Sequence, residues 1–229
     1  MIKAPPQAAP RTTAPDLPDT PPGVATQAFF QRATFQIAAA RLRDAPADTG
    51  FEVAFAGRSN AGKSSAINAL CHQRRLARTS KTPGRTQQLV FFRLDDERRL
   101  VDLPGYGFAR VSLALKADWQ ALMGHYLEQR QCLRALVVVM DIRHPLTEFD
   151  RQMLTWCIAA RRPLLLLLTK ADKLGRGAVH RTVEQVKRAV LELGTGAAEW
   201  IDVQAFSSTR PIGLEEARLR LALWLELPI

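Results

Sequence analysis

Residues Gly57–Ser64 read GRSNAGKS, and this octapeptide narrows the possible folds of the chain to a small set. The apolar segment Phe51–Ala56 before it predicts a strand, and the segment from Lys63 to Cys71 after it predicts a helix. A strand, a glycine-rich turn and a helix in this order are typical of a loop that binds phosphate groups through backbone N–H donors. The alternative is a glycine-rich turn that binds nothing.

The residue types within the octapeptide suit a nucleoside triphosphate. Gly57 and Gly62 permit backbone angles that direct successive N–H groups inward, and the positive end of the following helix adds to their attraction for phosphate. Lys63 supplies a charge for the β- and γ-phosphates, and the hydroxyl of Ser64 is placed to ligate Mg²⁺. We therefore predict that this loop binds a nucleoside triphosphate with Mg²⁺.

A carboxylate that orients the metal is expected at the end of a neighbouring strand. The apolar segment Leu100–Asp102 ends in such a carboxylate, and Gly105 follows three residues later. Gly105 has no side chain and can offer its backbone N–H to the γ-phosphate. The polar loop between the predicted helix 63–71 and the predicted strand 89–94 can bring a second hydroxyl to Mg²⁺. Its candidates are Thr79, Thr82 and Thr86.

A later segment, Thr169–Asp172 (TKAD), fits the recognition of a guanine base. A carboxylate at Asp172 can accept hydrogen bonds from N1–H and the exocyclic amine of guanine. Adenine lacks this pair of donors and would leave a buried acceptor unpaired. The aliphatic stem of Lys170 can lie along the base. Phe206–Ser208 ends the last predicted strand and can offer a backbone N–H to guanine O6.

Apolar strands alternate with amphipathic helices from residue 51 onward, which predicts an α/β fold of the P-loop NTPase class. We expect a small GTPase-like G domain with a mostly parallel six-stranded sheet and helices on both faces. The expected strands are 51–56, 89–94, 100–102, 133–141, 163–169 and 200–206. The expected helices are 63–71, 114–130, 147–160, 178–193 and 213–225.

The chain before this domain has a different composition. Residues 1–23 hold seven of the 14 prolines, which disfavour both helix interiors and strand ladders. We predict a disordered tail over residues 1–24 and a lead-in segment over 25–48, in which residues 29–43 fit either a short helix or a strand. The G domain is predicted over 49–229.

Composition limits the location and the partners of the protein. The apolar runs are far shorter than the ~20 residues of a membrane helix, no signal peptide is visible, and the three cysteines form no paired motif. We therefore expect a cytoplasmic protein with no membrane span. The net charge of +10 fits a polyanionic partner such as nucleic acid, a ribosomal surface or anionic lipid, and equally a charge that serves solubility alone.

From about Thr49 onward, the sequences of the motifs resemble those of the EngB (YihA/YsxC) family of bacterial GTP-binding proteins. The resemblance rests on six segments: Gly57–Ser65, Thr79–Gln87 (TSKTPGRTQ), Asp102–Gly107 (DLPGYG), Met140–Pro145 (MDIRHP), Thr169–Leu174 (TKADKL) and Phe206–Ser208 (FSS). It implies binding of GTP or GDP with Mg²⁺, a role in assembly of the large ribosomal subunit, and a link to normal cell division and septation. The implied partners are the guanine nucleotide and the large subunit or its precursor, through ribosomal RNA. We expect a monomer.

The resemblance also assigns roles to residues of this sequence. It makes Gly84–Gln88 the first switch and Asp102–Gly105 the entry to the second. The implied nucleotide-binding residues are Gly57, Arg58, Ser59, Asn60, Ala61, Gly62, Lys63, Ser64, Gly84, Arg85, Thr86, Gln87, Gln88, Asp102, Leu103, Pro104, Gly105, Thr169, Lys170, Ala171, Asp172, Phe206, Ser207 and Ser208. The implied metal ligands are Ser64, Thr86 and Asp102. The implied catalytic residues are Lys63, Thr86 and Gly105.

Two residues bear on the rate of hydrolysis. Tyr106 stands where Ras-like GTPases have a glutamine that orients water, and a phenol cannot do this from the same place. We therefore predict slow intrinsic hydrolysis that a partner or a monovalent ion accelerates. In related GTPases an asparagine at the position of Asn60 accompanies potassium-assisted catalysis, so K⁺ is a candidate activator. How Thr169, where most other GTPases have asparagine, contacts the phosphate loop is left open.

Two other functions fit part of the sequence. A small-molecule kinase with the same phosphate loop would use ATP and an acceptor site, whereas Asp172 indicates guanine. An RNA-binding scaffold with a structural nucleotide would use the basic residues. Those around the first switch are Arg74, Arg75, Arg78, Lys81 and Arg85. Others are Arg98, Arg99, Arg110, Arg161 and Arg162.

Overall fold

The computed structural model describes residues 23–77, 88–106, 113–192 and 199–227. The predicted disordered tail lies outside these residues except for its last two, which begin the first helix. In chain order the elements are α1 Gly23–Phe30, β1 Thr34–Ala39, β2 Phe51–Gly57, α2 Lys63–Leu70, β3 Leu89–Arg93, β4 Arg98–Asp102, α3 Leu113–Gln129, β5 Leu133–Asp141, α4 Glu148–Ala159, β6 Leu164–Thr169, α5 Arg176–Glu192, β7 Ile201–Ala205 and α6 Leu214–Trp224.

The sheet has the strand order β1-β3-β4-β2-β5-β6-β7. The five strands from β4 to β7 in this order run parallel, whereas β3 is antiparallel to both of its neighbours. The predicted α/β class and the mostly parallel sheet are confirmed. The predicted number of six strands is wrong, because the lead-in segment contributes β1 as a seventh strand at the edge of the sheet.

Helices cover both faces of the sheet, as predicted. Along β5 the buried side chains alternate: Leu136 and Val138 belong to one apolar cluster, and Val137 and Val139 to the other. Because neighbouring residues of a strand point to opposite faces, the two clusters lie on opposite sides of the sheet. Helices α3, α4 and α5 pack into the first cluster, and α1, α2 and α6 into the second.

The carboxyl ends of the parallel strands meet at one edge of the sheet, and the predicted motifs lie there. The octapeptide Gly57–Ser64 begins at the end of β2, Asp102 ends β4, and Thr169 ends β6. The register places Phe55 beside Asp102 and Asp141 beside Thr169. In open α/β sheets, ligands bind at this edge.

Candidate functional site

The phosphate loop has backbone angles that few side chains adopt. Gly62 precedes α2 with φ of 95°, and Asn60 has φ of 64°. Gly57, the first glycine of the loop, has a different role from Gly62, since its φ is not positive. A Cβ atom at Gly57 would lie 2.9 Å from the carbonyl oxygen of Val139 in β5. Gly57 is therefore required by close packing of the loop against β5, which corrects the expectation that its dihedral freedom matters.

The start of α2 is arranged for an anion. The first-turn N–H groups of a helix have no intrahelical acceptor, and the helix dipole makes this end positive. The loop runs directly into that turn at Lys63. The backbone of this segment therefore fits a phosphate group, as predicted from the octapeptide.

Lys63 lies against the strand that ends in Asp102. Its ammonium group contacts the Asp102 carboxylate and donates to the carbonyl oxygen of Leu103 at 2.6 Å. The side chains of Lys63 and Asp102 are only 12% and 14% exposed. The structure thus brings together the two charges that the sequence analysis assigned to phosphate and to metal. Hydroxyl and carboxylate oxygens are ligands that Mg²⁺ prefers, and Ser64 and Asp102 carry such groups.

The segment after Asp102 is held by its backbone and by its side chains. The indole N–H of Trp119 donates to the carbonyl oxygen of Pro104 at 3.1 Å. The hydroxyl of Tyr106 donates to an oxygen of Asp150 at 2.9 Å, and both side chains are buried. Burial and the nearby Asp150 carboxylate raise the pKa of the Tyr106 phenol well above its ordinary value. Tyr106 is therefore neutral and engaged with a carboxylate at physiological pH.

The start of the guanine-reading segment is bound directly to the phosphate loop. The hydroxyl of Thr169 lies within hydrogen-bonding distance of the carbonyl oxygens of Ala61 and Met140, and its single proton serves one of them at a time. The ammonium group of Lys170 donates to the carbonyl oxygen of Asn60 at 2.8 Å. The question left open at Thr169 is answered here, because a threonine hydroxyl contacts the loop.

Asp172 and Ser207 come together from two different strand ends. The Ser207 hydroxyl donates to Asp172 Oδ1 at 2.6 Å. This hydrogen bond, together with Lys173, lowers the pKa of Asp172, so the carboxylate stays ionised at neutral pH. The backbone N–H of Ala171 donates to the carbonyl oxygen of Phe206 at 3.0 Å, which joins the two segments. The structure therefore unites the two predicted base-reading segments.

Asp141, at the end of β5, was not assigned a role from the sequence. Its carboxylate accepts hydrogen bonds from the Arg143 guanidinium at 2.9 and 2.6 Å and from Lys170 Nζ at 2.9 Å. The bonds from Arg143 and then Lys170 hold the pKa of Asp141 well below its usual range. Asp141 is thus an ionised partner that orients Lys170 over the phosphate loop. In the sequence, the MDIRHP motif was the only indication that Asp141 belongs to the site.

The first switch falls largely outside the described residues. This holds for Gly84, Arg85, Thr86 and Gln87, and for the alternative threonines Thr79 and Thr82. Gln88 is described and lies immediately before β3. Of the remaining predicted positions, Leu103, Pro104 and Phe206 are buried, and Ser208 is exposed.

The predicted basic residues divide into two groups. Arg74, Arg75 and Arg161 are exposed. Arg99 is buried and donates to Glu52, and Arg98 donates to the carbonyl oxygens of Leu225 and Glu226. Arg98 and Arg99 therefore stabilise the fold rather than an exposed basic surface. Arg78, Lys81, Arg85 and Arg110 lie outside the described residues.

In the part of the chain that the structure describes, no helix combines the length and the hydropathy needed to cross a bilayer.

Solved structures of GTP-binding proteins share this fold. A probable GTP-binding protein engB matches with a TM-score of 0.61 at 19% identity, over 76% of this chain and 98% of that one. A variant of Era from Aquifex aeolicus bound to GDP·AlF4⁻ matches with a TM-score of 0.56 at 18% identity, over 78% of this chain and 56% of that one. Elongation factor SelB from Methanococcus maripaludis, with the GTP analogue GppNHp, matches with a TM-score of 0.56 at 14% identity, over 78% of this chain and 34% of that one.

These likenesses confirm the resemblance to EngB at the level of the fold. The family assignment rests on the sequence itself. Residues 52–170, which include the phosphate loop, Asp102 and the start of the guanine-reading segment, match the family described as 50S ribosome-binding GTPase. This match spans more than half of the chain, and the chain therefore belongs to the 50S ribosome-binding GTPase family.

Proposed function

We propose that the protein is a GTP-dependent switch that acts in assembly of the large ribosomal subunit, with a link to normal cell division and septation. The observation that carries the proposal is the direct connection between the guanine-reading segment and the phosphate loop. Thr169 and Lys170 contact consecutive carbonyl oxygens of that loop, at Ala61 and Asn60. A guanine nucleotide must place its base on one segment and its phosphates on the other. These contacts hold the two segments side by side, so one nucleotide can bind both.

Each group of predicted site residues binds a different part of the nucleotide. The backbone of Gly57–Ser64 and the charge of Lys63 hold the phosphates, and Asp172 with Phe206–Ser208 reads the base. Ser64, Thr86 and Asp102 are the proposed ligands of Mg²⁺. The metal, when bound, neutralises charge that develops on the phosphate oxygens during hydrolysis.

We propose that intrinsic GTP hydrolysis is slow. The Tyr106 hydroxyl donates to Asp150 at 2.9 Å and is buried, so it is committed to a structural partner rather than to a water molecule. A ribosomal partner or K⁺ near Asn60 would supply the missing acceleration. Lys63, Thr86 and Gly105 are the proposed catalytic residues.

The ribosomal partner is proposed on two grounds. The family to which the chain belongs is described as 50S ribosome-binding, and the chain carries a net charge of +10. Exposed Arg74 and Arg75 follow α2, shortly before the proposed first switch, and a basic surface there would contact ribosomal RNA in a nucleotide-dependent way. We propose that this takes place in the cytoplasm and that the protein acts as a monomer.

The first test is the nucleotide preference of the purified protein, measured by calorimetry with Mg²⁺. We expect GTP and GDP to bind at least about 100-fold more tightly than ATP, because adenine leaves the Asp172 carboxylate without its two donors. Tight ATP binding would favour the kinase alternative instead. The Lys63→Ala variant, which lacks the phosphate-binding charge, should lose tight binding of GTP and GDP.

The second test is co-sedimentation with large ribosomal subunits. We expect the GTP-analogue and GDP states to differ in affinity by about tenfold, because a switch must bind its partner differently in its two states. Equal affinities would indicate an RNA-binding scaffold with a structural nucleotide. Affinity should fall as salt rises, and a flat dependence on log salt would rule out an RNA contact.

A further inference from the structure

We propose that the hydrogen bond between Tyr106 and Asp150 positions the Gly105 peptide for the γ-phosphate and links the presence of that phosphate to the start of α4. The inference rests on the proposed binding of GTP and identifies positioning residues for it. Neither Tyr106 nor Asp150 is proposed to touch the nucleotide with its side chain.

The Gly105 peptide lies between two fixed points of the backbone. On one side, the Pro104 carbonyl oxygen accepts the Trp119 indole N–H at 3.1 Å. On the other side, the Tyr106 carbonyl oxygen accepts the backbone N–H of Ser59, in the phosphate loop, at 3.0 Å. The Gly105 N–H belongs to the same planar peptide as the Pro104 carbonyl, so Trp119 restrains its direction from one side, and the position of Tyr106 restrains it from the other.

The side chain of Tyr106 is a further anchor of that position, beside the backbone contacts with Gly57 and Ser59. It is 4% exposed, and its hydroxyl donates to Asp150 Oδ1 at 2.9 Å. Asp150 is 2% exposed, so water has little access to replace a lost donor. Because leaving a buried carboxylate oxygen unpaired is costly, the bond favours one defined place for the Tyr106 ring.

The second carboxylate oxygen of Asp150 accepts hydrogen bonds from a different residue. Oδ2 accepts the backbone N–H of Thr147 at 3.0 Å and the Thr147 hydroxyl at 2.7 Å, which forms the capping box at the start of α4. One carboxylate therefore serves both the segment that contains Gly105 and the first turn of α4. A displacement of Tyr106 changes the hydrogen bonding of that helix end.

Two tryptophans lie where such a displacement would be detected. The Trp119 ring centroid lies 5.9 Å from that of Tyr106 and 5.6 Å from that of Trp156 in α4. A change in the place of Tyr106 therefore alters the surroundings of both indoles. Tryptophan emission offers a signal that does not depend on hydrolysis.

The test compares Tyr106→Phe with Tyr126→Phe. Tyr126 is the other tyrosine of the chain, is fully buried, and also donates to a buried carboxylate, Glu52, at 3.3 Å. Glu52 lies near the amino end of β2, and the phosphate loop begins at the carboxyl end of the same strand. Both variants lose a hydroxyl bound to a buried carboxylate, but only Tyr106 is connected to Gly105.

The affinities of a non-hydrolysable GTP analogue and of GDP, each with Mg²⁺, are measured for the three proteins. We expect Tyr106→Phe to lower the ratio of analogue to GDP affinity by about tenfold, the size of one lost hydrogen bond to a charged group. Its GDP affinity should stay within about twofold of that of the unsubstituted protein. The emission difference between the two nucleotide states should shrink in the same variant, and Tyr126→Phe should leave the ratio unchanged.

Three results would overturn the inference. One is an unchanged ratio in Tyr106→Phe, and another is an equal loss of both nucleotides in that variant. The third is the same change of ratio in Tyr126→Phe. In a double-mutant cycle with Asp150→Asn, the two effects on the ratio should be non-additive, and additive effects would also contradict a shared bond. Failure of the unsubstituted protein to bind any guanine nucleotide would instead refute the proposed function.

Discussion

Asp172 connects the charge of one side chain to the choice of a base. Its carboxylate is held by the Ser207 hydroxyl at 2.6 Å, and this bond lowers its pKa. A carboxyl group whose pKa lies below its ordinary value is fully ionised through the neutral range. An ionised carboxylate offers only acceptors, which suits the two donors of guanine.

We predict that Asp172→Asn reduces GTP affinity by at least about tenfold and raises affinity for xanthosine triphosphate. The amide N–H₂ would face the guanine donors, but it can donate to the 2-carbonyl oxygen of xanthine. Competition binding with the two nucleotides gives the measurement. Asp96→Asn is the control, since the Asp96 side chain is 89% exposed and its loss should leave the preference unchanged. Unaltered guanine preference in Asp172→Asn would show that the base is read elsewhere.

The site residues within the described motifs could be predicted because each motif is a contiguous segment of the sequence. Lys63, Asp102 and Asp172 meet at the expected edge of the sheet. Asp141 and Asp150 were not predicted as parts of the site, because their partners Lys170 and Tyr106 are 29 and 44 residues away along the chain. No spacing rule expresses such a contact. The role of Gly57 was also predicted for the wrong reason, since the close approach of β5 cannot be read from a local pattern.

At the scale of elements, α2 depends on α6 at its carboxyl end. Arg218 of α6 is fully buried and donates to the carbonyl oxygens of Ala69 and Leu70 at 3.0 and 2.9 Å. Both carbonyls belong to the last turn of α2, where intrahelical donors run out, and the one at Ala69 also accepts the backbone N–H of His72 at 3.1 Å. A positive side chain there also suits the negative end of the helix dipole.

We predict that Arg218→Met lowers the free energy of unfolding by about 2–4 kcal/mol, because the carbonyl oxygen of Leu70 loses its Arg218 donor and that of Ala69 loses one of its donors. Urea unfolding followed by circular dichroism gives the value. Arg220→Met is the matched control on the same helix. The half-buried Arg220 side chain pairs with Asp202, which is 38% exposed, at 3.1 Å, and losing this pair should cost about 1 kcal/mol. Equal losses in the two variants would contradict a capping role for Arg218.

Elements with a local signal were predicted well, and an element without one was left open between a helix and a strand. The start of α4 was predicted at residue 147, and the structure shows a capping box there between Thr147 and Asp150. Strand β1 has four exposed residues followed by a half-buried and a buried one. It lacks the regular alternation by which a strand is recognised, because it pairs at the edge of the sheet and covers little of the core.

At the scale of the whole molecule, the sheet separates two apolar clusters, and each contains a buried free cysteine. Cys157 belongs to the cluster beneath α3, α4 and α5, and Cys71 to the cluster beneath α1, α2 and α6. Burial raises the pKa of both thiols to about 12. Because the thiolate is the reactive form, neither should react with alkylating reagents while the fold is closed. The two cysteines therefore report on the opening of the two faces separately.

We predict that Cys71 and Cys157 are labelled at the same slow rate at pH 8, because both faces share the central strands and should open together. GDP with Mg²⁺ at 100 times its dissociation constant should slow both by about 100-fold, since a ligand that binds only the folded state reduces the open population by that factor. Alkylation followed by site-resolved mass spectrometry gives both rates, and the urea-denatured protein provides the intrinsic reactivities. Faster labelling of one cysteine, or protection of Cys71 alone, would show that the face carrying α2 and the phosphate loop opens independently of the other.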